Sequence, residues 1–450
     1  MPGVHSSEEK MWRRLLTEYG MLLVLILLGA LFSALTWAEQ QPTGLAASRQ
    51  VARRLLADPN LSSKKMLIVV RAHPDDETYA SDLVNQLAEV QVSLVQTVVG
   101  QPADARQKLE QLVASEQTLD RIICSGSSVD WGIVANVATL FPKLGRVEIL
   151  APQSYRWPNF LKRDNLLNIA NQISVIAMVA IGMTMVIIAG GIDLSVGSLI
   201  ALSAVVAARL IRDFAGAEQA SVWATVPCCA VAIAGCGLAG VTTGVLTTAF
   251  RVPSFIVTLA MMLVASGTAY ILAAGQSINQ VPETFVWLGR GADLLNVPNS
   301  VVLMLVLYCI AHVVMSCTTL GRYLYAVGGN AEAARLSGVP TDRVIILSFA
   351  ISGMLAGLGG IVLASQLKSG SPTYGQMYEL YTIAAVVVGG TSLAGGEGKI
   401  LGTLIGALII AVIQNGMNLM GIESYTQKVV LGAVILSAVI VDRIRHRISQ

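Results

Sequence analysis

Gly190-Gly191-Ile192-Asp193-Leu194-Ser195-Val196-Gly197-Ser198 lies between two long apolar runs, 173–189 and 199–208. An aspartate in such a setting costs about 2.5–3.5 kcal/mol at a bilayer centre. The paired glycines let the backbone break. Asp193 or Ser195 then caps the following helix by accepting from its free N–H groups. Irregular backbone at membrane depth persists only where protein or a wet cavity surrounds it. The stretch therefore reads either as a capped turn at a membrane surface or as a break beside a transport pathway. Spacing alone does not choose between them.

Composition agrees with a polytopic α-helical membrane protein. Of 450 residues, 54% are hydrophobic and 13% charged, where a soluble domain carries about 25% charge. The net charge of +2 leaves no basic footprint for nucleic acid. Cys228, Cys229, Cys236, Cys309 and Cys317 fall in apolar runs, where cysteine acts as a small hydrophobe. No Cys/His spacing marks a metal site.

Lys10, Arg13 and Arg14 precede a first apolar run at 21–37, which places the N-terminus in the cytoplasm. Thr36-Trp37-Ala38 would pass as a signal-peptidase site, but a retained anchor suits the spans that follow. Further runs occupy 168–189, 194–211, 223–249, 254–275, 301–319, 344–366, 378–393, 399–420 and 426–442. With the first they make about ten transmembrane helices. Threading puts Arg251, Arg322, Arg335, Arg343, Lys399, Arg443, Arg445 and Arg447 on the cytoplasmic side, with Lys368 and Lys428 outside. Gly240/Gly244, Gly353/Gly357 and Gly402/Gly406 each offer a smooth strip for close helix approach. Gly389-Gly390-x-x-Leu393-x-x-Gly396 echoes Gly190-Gly191-x-x-Leu194-x-x-Gly197, by chance or as a second broken helix.

Residues 39–158 change character. Strand patterns at 65–71, 92–99, 121–124 and 147–150 alternate with helical patterns at 76–90, 104–115 and 129–140. Such alternation implies a parallel sheet of βαβ units. The layout is thus a cytoplasmic N-terminus with the first membrane helix (1–38), an extracytoplasmic Rossmann-like α/β insert (39–158), a transmembrane domain (159–442) and a cytoplasmic tail (443–450). The insert lacks GxGxxG, and its element order resembles one lobe of a periplasmic sugar-binding protein. Ala72-His73-Pro74-Asp75-Asp76-Glu77 resembles the AHPDDE motif of zinc-dependent deacetylases. That resemblance makes His73 and Asp76 metal ligands and Asp75 the base. The second histidine that family uses is missing here, and an acidic helix start explains the same residues.

Between the later spans, Asn330 is placed to cap a helix beginning at Ala331, with Glu332 in its first turn and Arg335 near its end. Gly338 stops it and Pro340 prevents resumption. Four ordered segments then carry a family resemblance: 190–198; Arg251-Val252-Pro253-Ser254-Phe255-Ile256-Val257-Thr258-Leu259; Gly328-Gly329-Asn330-Ala331-Glu332-Ala333-Ala334-Arg335-Leu336-Ser337-Gly338; and 384–398. With Asn415-Gly416, they resemble the ribose/xylose/galactose branch of ABC-transporter permeases over about 160–442.

The resemblance implies a permease subunit of an importer for a sugar or similar neutral polar solute. Asn330, Glu332, Ala333, Ala334, Arg335, Leu336, Ser337 and Gly338 become the segment that docks on a separate ABC ATPase. That ATPase is required, since the chain has no GxxxxGK[ST]: before Gly398-Lys399, position 393 is Leu, and position 400 is Ile. Implied partners are also an extracytoplasmic solute-binding protein, a second permease copy (the same chain or a paralogue) and membrane lipid. No cofactor is expected on this chain, ATP being used by the partner. Polar candidates for the substrate pathway are Gln172, Asp193, Ser195, Thr258, Gln276 and Asn415. The alternative is a membrane-anchored, zinc deacetylase-like enzyme in the insert.

Overall fold

The computed structural model describes residues 5–88 and 94–449. The junction at 89–93, where the sequence patterns pass from helix to strand, lies outside them. The chain forms two compact units: one is Trp37–Pro158, and the other joins the segment before it to the segment after it.

Helix α1 (His5–Leu35) leads to the α/β unit. This comprises β1 (Trp37–Gln40), α2 (Gly44–Leu56), β2 (Met66–Arg71), α3 (Pro74–Ala88), β3 (Leu94–Gly100), α4 (Pro102–Ala114) and β4 (Arg121–Cys124). Two single turns, α5 (Gly132–Ala135) and α6 (Val137–Leu140), then precede β5 (Glu148–Leu150) and β6 (Tyr155–Pro158). Strands β3-β2-β4-β5 form a parallel sheet in that order. Strand β2 is buried on both faces. Met66, Ile68 and Val70 pack with Val51, Leu55, Tyr79 and Leu83. Leu67 and Val69 pack with Leu109, Leu112 and Val134. Each such side chain contributes about 1.5–3 kcal/mol by leaving water. That two-sided burial explains the unbroken apolar run. Asp104 accepts from the Gln101 N–H at 2.7 Å, and Pro102 opens α4.

The single helix expected over 129–140 is instead two turns divided at Asn136 (φ −108°, ψ 21°). The Asn136 amide donates to the Gly132 carbonyl at 3.0 Å, so its side chain competes with the helical backbone. The pairing of β1 with antiparallel β6 brings the two ends of the unit together, and no periodicity announced it.

The second unit continues with α7 (Arg163–Ile188), α8 (Val196–Leu210), α9 (Val222–Ala249), α10 (Ser254–Ala273), α11 (Glu283–Arg290) and α12 (Asn299–Cys317). It ends with α13 (Thr319–Gly329), α14 (Ala331–Leu336), α15 (Thr341–Leu367), α16 (Tyr378–Val388), α17 (Ile400–Leu419) and α18 (Ser424–Ser449). Among the described residues, six helices are long and apolar enough to cross a membrane: α7, α9, α10, α12, α15 and α17. Gly20–Leu35 and α16 are shorter apolar helices.

Helix α7 is the core of this unit, 89% buried over its most apolar window against 22% for α10. The glycine strips lie where helix backbones touch. A Cβ on Gly244 would fall 2.7 Å from Ile346 Cα, and one on Gly353 would fall 3.3 Å from Gly240 Cα. Gly402 and Gly406 likewise face Gly389 and Ala385. Helices α9 and α15 thus pack backbone to backbone. Gly353→Ala is expected to lower the thermal midpoint of the detergent-solubilised protein, at a cost of about 1–3 kcal/mol. Gly267→Ala, on open space in α10, should leave it unchanged or raise it.

Candidate functional site

The stretch 189–195 joins the end of α7 to the start of α8. Helix α7 closes with a left-handed glycine, Gly190 (φ +85°). Gly190 N–H donates to Ile187 O and Gly191 N–H to Val186 O, both at 2.9 Å. Asp193 then turns the chain into α8. Its Oδ1 accepts from the Ser195 N–H at 3.0 Å and the Ser195 hydroxyl at 2.6 Å. Its Oδ2 accepts from the Ser352 hydroxyl of α15 at 2.8 Å. The carboxylate is 1% exposed, so these donors replace water for it. The neighbouring Ile192 is held at both ends of its backbone: its N–H donates to Ser254 Oγ at 3.1 Å, and its carbonyl accepts from Thr258 Oγ1 at 3.3 Å.

Asp193, Ser195 and Thr258 therefore come together, with Ser254 and Ser352 as partners that sequence patterns did not single out. Ser352 carries no local signal, because it meets Asp193 only through the packing of α15. The other three pathway candidates lie apart. Gln172 is exposed on α7, about 24 Å before its end. Gln276 is exposed beyond α10. Asn415 exchanges amide hydrogen bonds with Asn165, at 2.9 and 3.0 Å, near the start of α7.

The second double glycine repeats the first turn. Helix α16 ends with Gly390 at φ +86°. Gly390 N–H donates to Val387 O at 2.9 Å and Thr391 N–H to Val386 O at 3.1 Å. The two turns meet, since the Gly396 N–H donates to Ile188 O at 2.9 Å. Helix α13 packs on the junction: a Cβ on Gly328 would lie 2.8 Å from the Ile188 carbonyl carbon, and the Tyr325 hydroxyl donates to Gly398 O at 2.8 Å.

Helix α14 follows α13 directly. Asn330 Oδ1 accepts from the Ala333 N–H at 2.9 Å. Glu332 and Arg335 pair at 2.9 Å on the exposed surface. Gly338, at φ +87°, ends the helix, and the Val339 N–H donates back to Ala334 O at 3.0 Å. Ala334 is buried, whereas Asn330, Glu332, Ala333, Arg335, Leu336, Ser337 and Gly338 are exposed. Leu336 is 81% exposed, an apolar knob on a polar turn.

In the α/β unit, Asp76 accepts from Arg71 Nε at 2.8 Å and from the Ser127 hydroxyl at 2.6 Å. His73 Nδ1 accepts from the Asp75 N–H at 3.4 Å. Among the described residues, no three His, Cys, Asp or Glu side chains are grouped to hold a metal ion. Asp76 serves an internal ion pair at a helix start.

The family model described as "Branched-chain amino acid transport system / permease component" matches residues 165–439. The ribose import permease protein RbsC of Escherichia coli (strain K12) is 46% identical over 289 residues, covering 63% of this chain and 87% of that protein. RbsC of Bacillus subtilis (strain 168) is 41% identical over 306 residues, covering 68% and 92%. The L-arabinose transport system permease protein AraH of Escherichia coli (strain K12) is 38% identical over 293 residues, covering 65% and 87%. No solved structure matches significantly. Asp193→Ala leaves the Ser195 and Ser352 donors without their acceptor. Bonds to a charged group contribute about 1.5–3 kcal/mol each, so a clear fall in thermal midpoint is expected, larger than for Ser352→Ala.

Proposed function

Because the chain belongs to the family of ABC-transporter permease components, we propose that it is the membrane subunit of an ATP-driven importer for a monosaccharide. It is a transport subunit rather than an enzyme, and a multi-pass protein of the inner membrane. A permease of this family works with an ATPase and a solute-binding protein. The observation that carries the sugar reading is the 46% identity to a ribose import permease along 87% of that protein.

In our reading, α14 is the hook on which the ATPase pulls. Its support is mechanical. The exposed turn 330–338 continues from α13, and α13 packs on both double-glycine turns. Those turns lead into α8 and α17, so a displacement of α14 has a short path to the helices that follow each break. Asp193, Ser195 and Thr258 hold the first break in place beside the pathway. Ten spans from a cytoplasmic N-terminus, a second permease copy across the pathway and surrounding membrane lipid complete the arrangement. The same threading puts the α/β unit outside the cytoplasmic membrane.

The test is reconstitution of the full chain with its ATPase and solute-binding protein in liposomes, followed by uptake of radiolabelled D-ribose and L-arabinose. ATP-dependent accumulation of either is expected, and its absence for both with an active ATPase present refutes the reading. Within that assay, Glu332→Lys and Gly338→Pro should uncouple ATP hydrolysis from uptake, so that ATP-driven accumulation is lost while membrane insertion stays intact. Normal transport by both variants would rule out α14 as the coupling element.

A further inference from the structure

Between α15 and α16 the chain is not helical, yet it runs beside the apolar helix α8. A Cβ on Gly370 would fall 2.6 Å from Ala208 Cβ and 3.0 Å from the Ala204 carbonyl carbon. On Gly375 it would fall 2.9 Å from Ile200 Cβ. The segment 370–375 therefore descends about two turns along α8 before α16 begins. Its backbone is satisfied locally. Ile278 and Gly370 exchange two hydrogen bonds at 2.8 and 2.9 Å, and the Tyr378 N–H donates to Gly375 O at 3.0 Å.

The depth follows from α15. That helix has 27 residues, about 40 Å. Ser352, which holds Asp193, stands about 16 Å from its Thr341 end. Gly360, whose Cβ would lie 3.1 Å from the Ile200 carbonyl carbon, stands about 28 Å from that end. Gly197 falls between these levels, near the middle. A Cβ there would lie 2.6 Å from Gly375 O and 3.4 Å from Glu379 Cδ.

Glu379 is thus a half-buried carboxylate at mid-depth in the first turn of α16, where its own backbone N–H is its hydrogen-bond partner, and among the described residues it forms no ion pair. It lines a cavity of about 340 Å³ with Ser198, Ser266, Tyr374 and Gln376, against apolar walls from Met262 and Leu263. That volume lies within the range of small-molecule sites, about 300–1,000 Å³. An ionisable group inside a membrane helix bundle with no countercharge beside it is a functional candidate by its cost. A strong acceptor ringed by hydroxyl and amide groups suits a neutral solute rich in hydroxyl donors, and it repels anions.

We propose that this cavity is the transit site for the sugar, with Glu379 accepting hydrogen bonds from its hydroxyls. The proposal rests on the importer reading above and assigns that reading a place in the chain. The probe is radiolabelled D-ribose in the reconstituted system, with Glu379→Gln and Ser266→Leu compared with the unaltered chain. Glu379→Gln should reduce the maximal uptake rate on the order of tenfold, the scale of one hydrogen bond to a charged group. The half-saturating ribose concentration, set by the solute-binding protein, and the thermal midpoint should both stay the same. Ser266→Leu narrows the cavity and should reduce the rate for ribose, with a larger reduction for hexoses. Uptake within twofold of the unaltered chain by both variants overturns the site while the importer reading stands. A drop in rate tracked by an equal loss of folded protein in both also overturns it. Failure of the unaltered chain to move any sugar overturns the importer reading itself.

Discussion

One buried carboxylate organises the centre of the membrane unit. Asp193 has no water to solvate it, so its oxygens take donors from its own turn and from α15. Those bonds fix where α8 starts and bind it to a helix far away in sequence. The non-helical chain before α16 runs beside α8, and Gly197, Gly370 and Gly375 let the two backbones close on each other. A polar group in an apolar medium is tolerated only with full satisfaction, and here that satisfaction sets the architecture.

Features with local causes were legible in the sequence. Asn330 and Gly338 bracket α14 because capping and a left-handed stop depend on neighbours a few residues away. The two double glycines ended helices in the same way at Gly190 and Gly390, so the sequence echo is a structural one. Strand β2 of the α/β unit was readable because it is covered on both faces. The family resemblance also anticipated the permease class, which the homologues establish.

What escaped had long-range causes. Ser352 meets Asp193 from 159 residues away, and nothing around Ser352 signals that meeting. Glu379 was read as the start of an ordinary span. Only the descent of the preceding chain along α8 shows that this helix starts within the bundle rather than at its surface. Asn136 divided an expected helix because its amide found a carbonyl one turn back, a competition that periodicity does not register. Gln172, Gln276 and Asn415 are polar residues in or beside apolar runs, and such runs do not tell which face or which end a side chain occupies.

The α/β unit enters and leaves the chain at a single place. Trp37 is paired with Pro158 across neighbouring strands. Just outside that pair, the Asn159 N–H donates to Thr36 O at 2.9 Å, and the Phe160 N–H donates to Thr36 Oγ1 at 3.1 Å. Phe32 and Phe160 stack with ring centroids 6.1 Å apart. Thr36 and Asn159 are therefore already as close as adjacent residues in a tight turn. In genetic terms the unit is a cassette: its gain or loss during descent would leave the flanking helices where they are, with no gap for a linker to bridge.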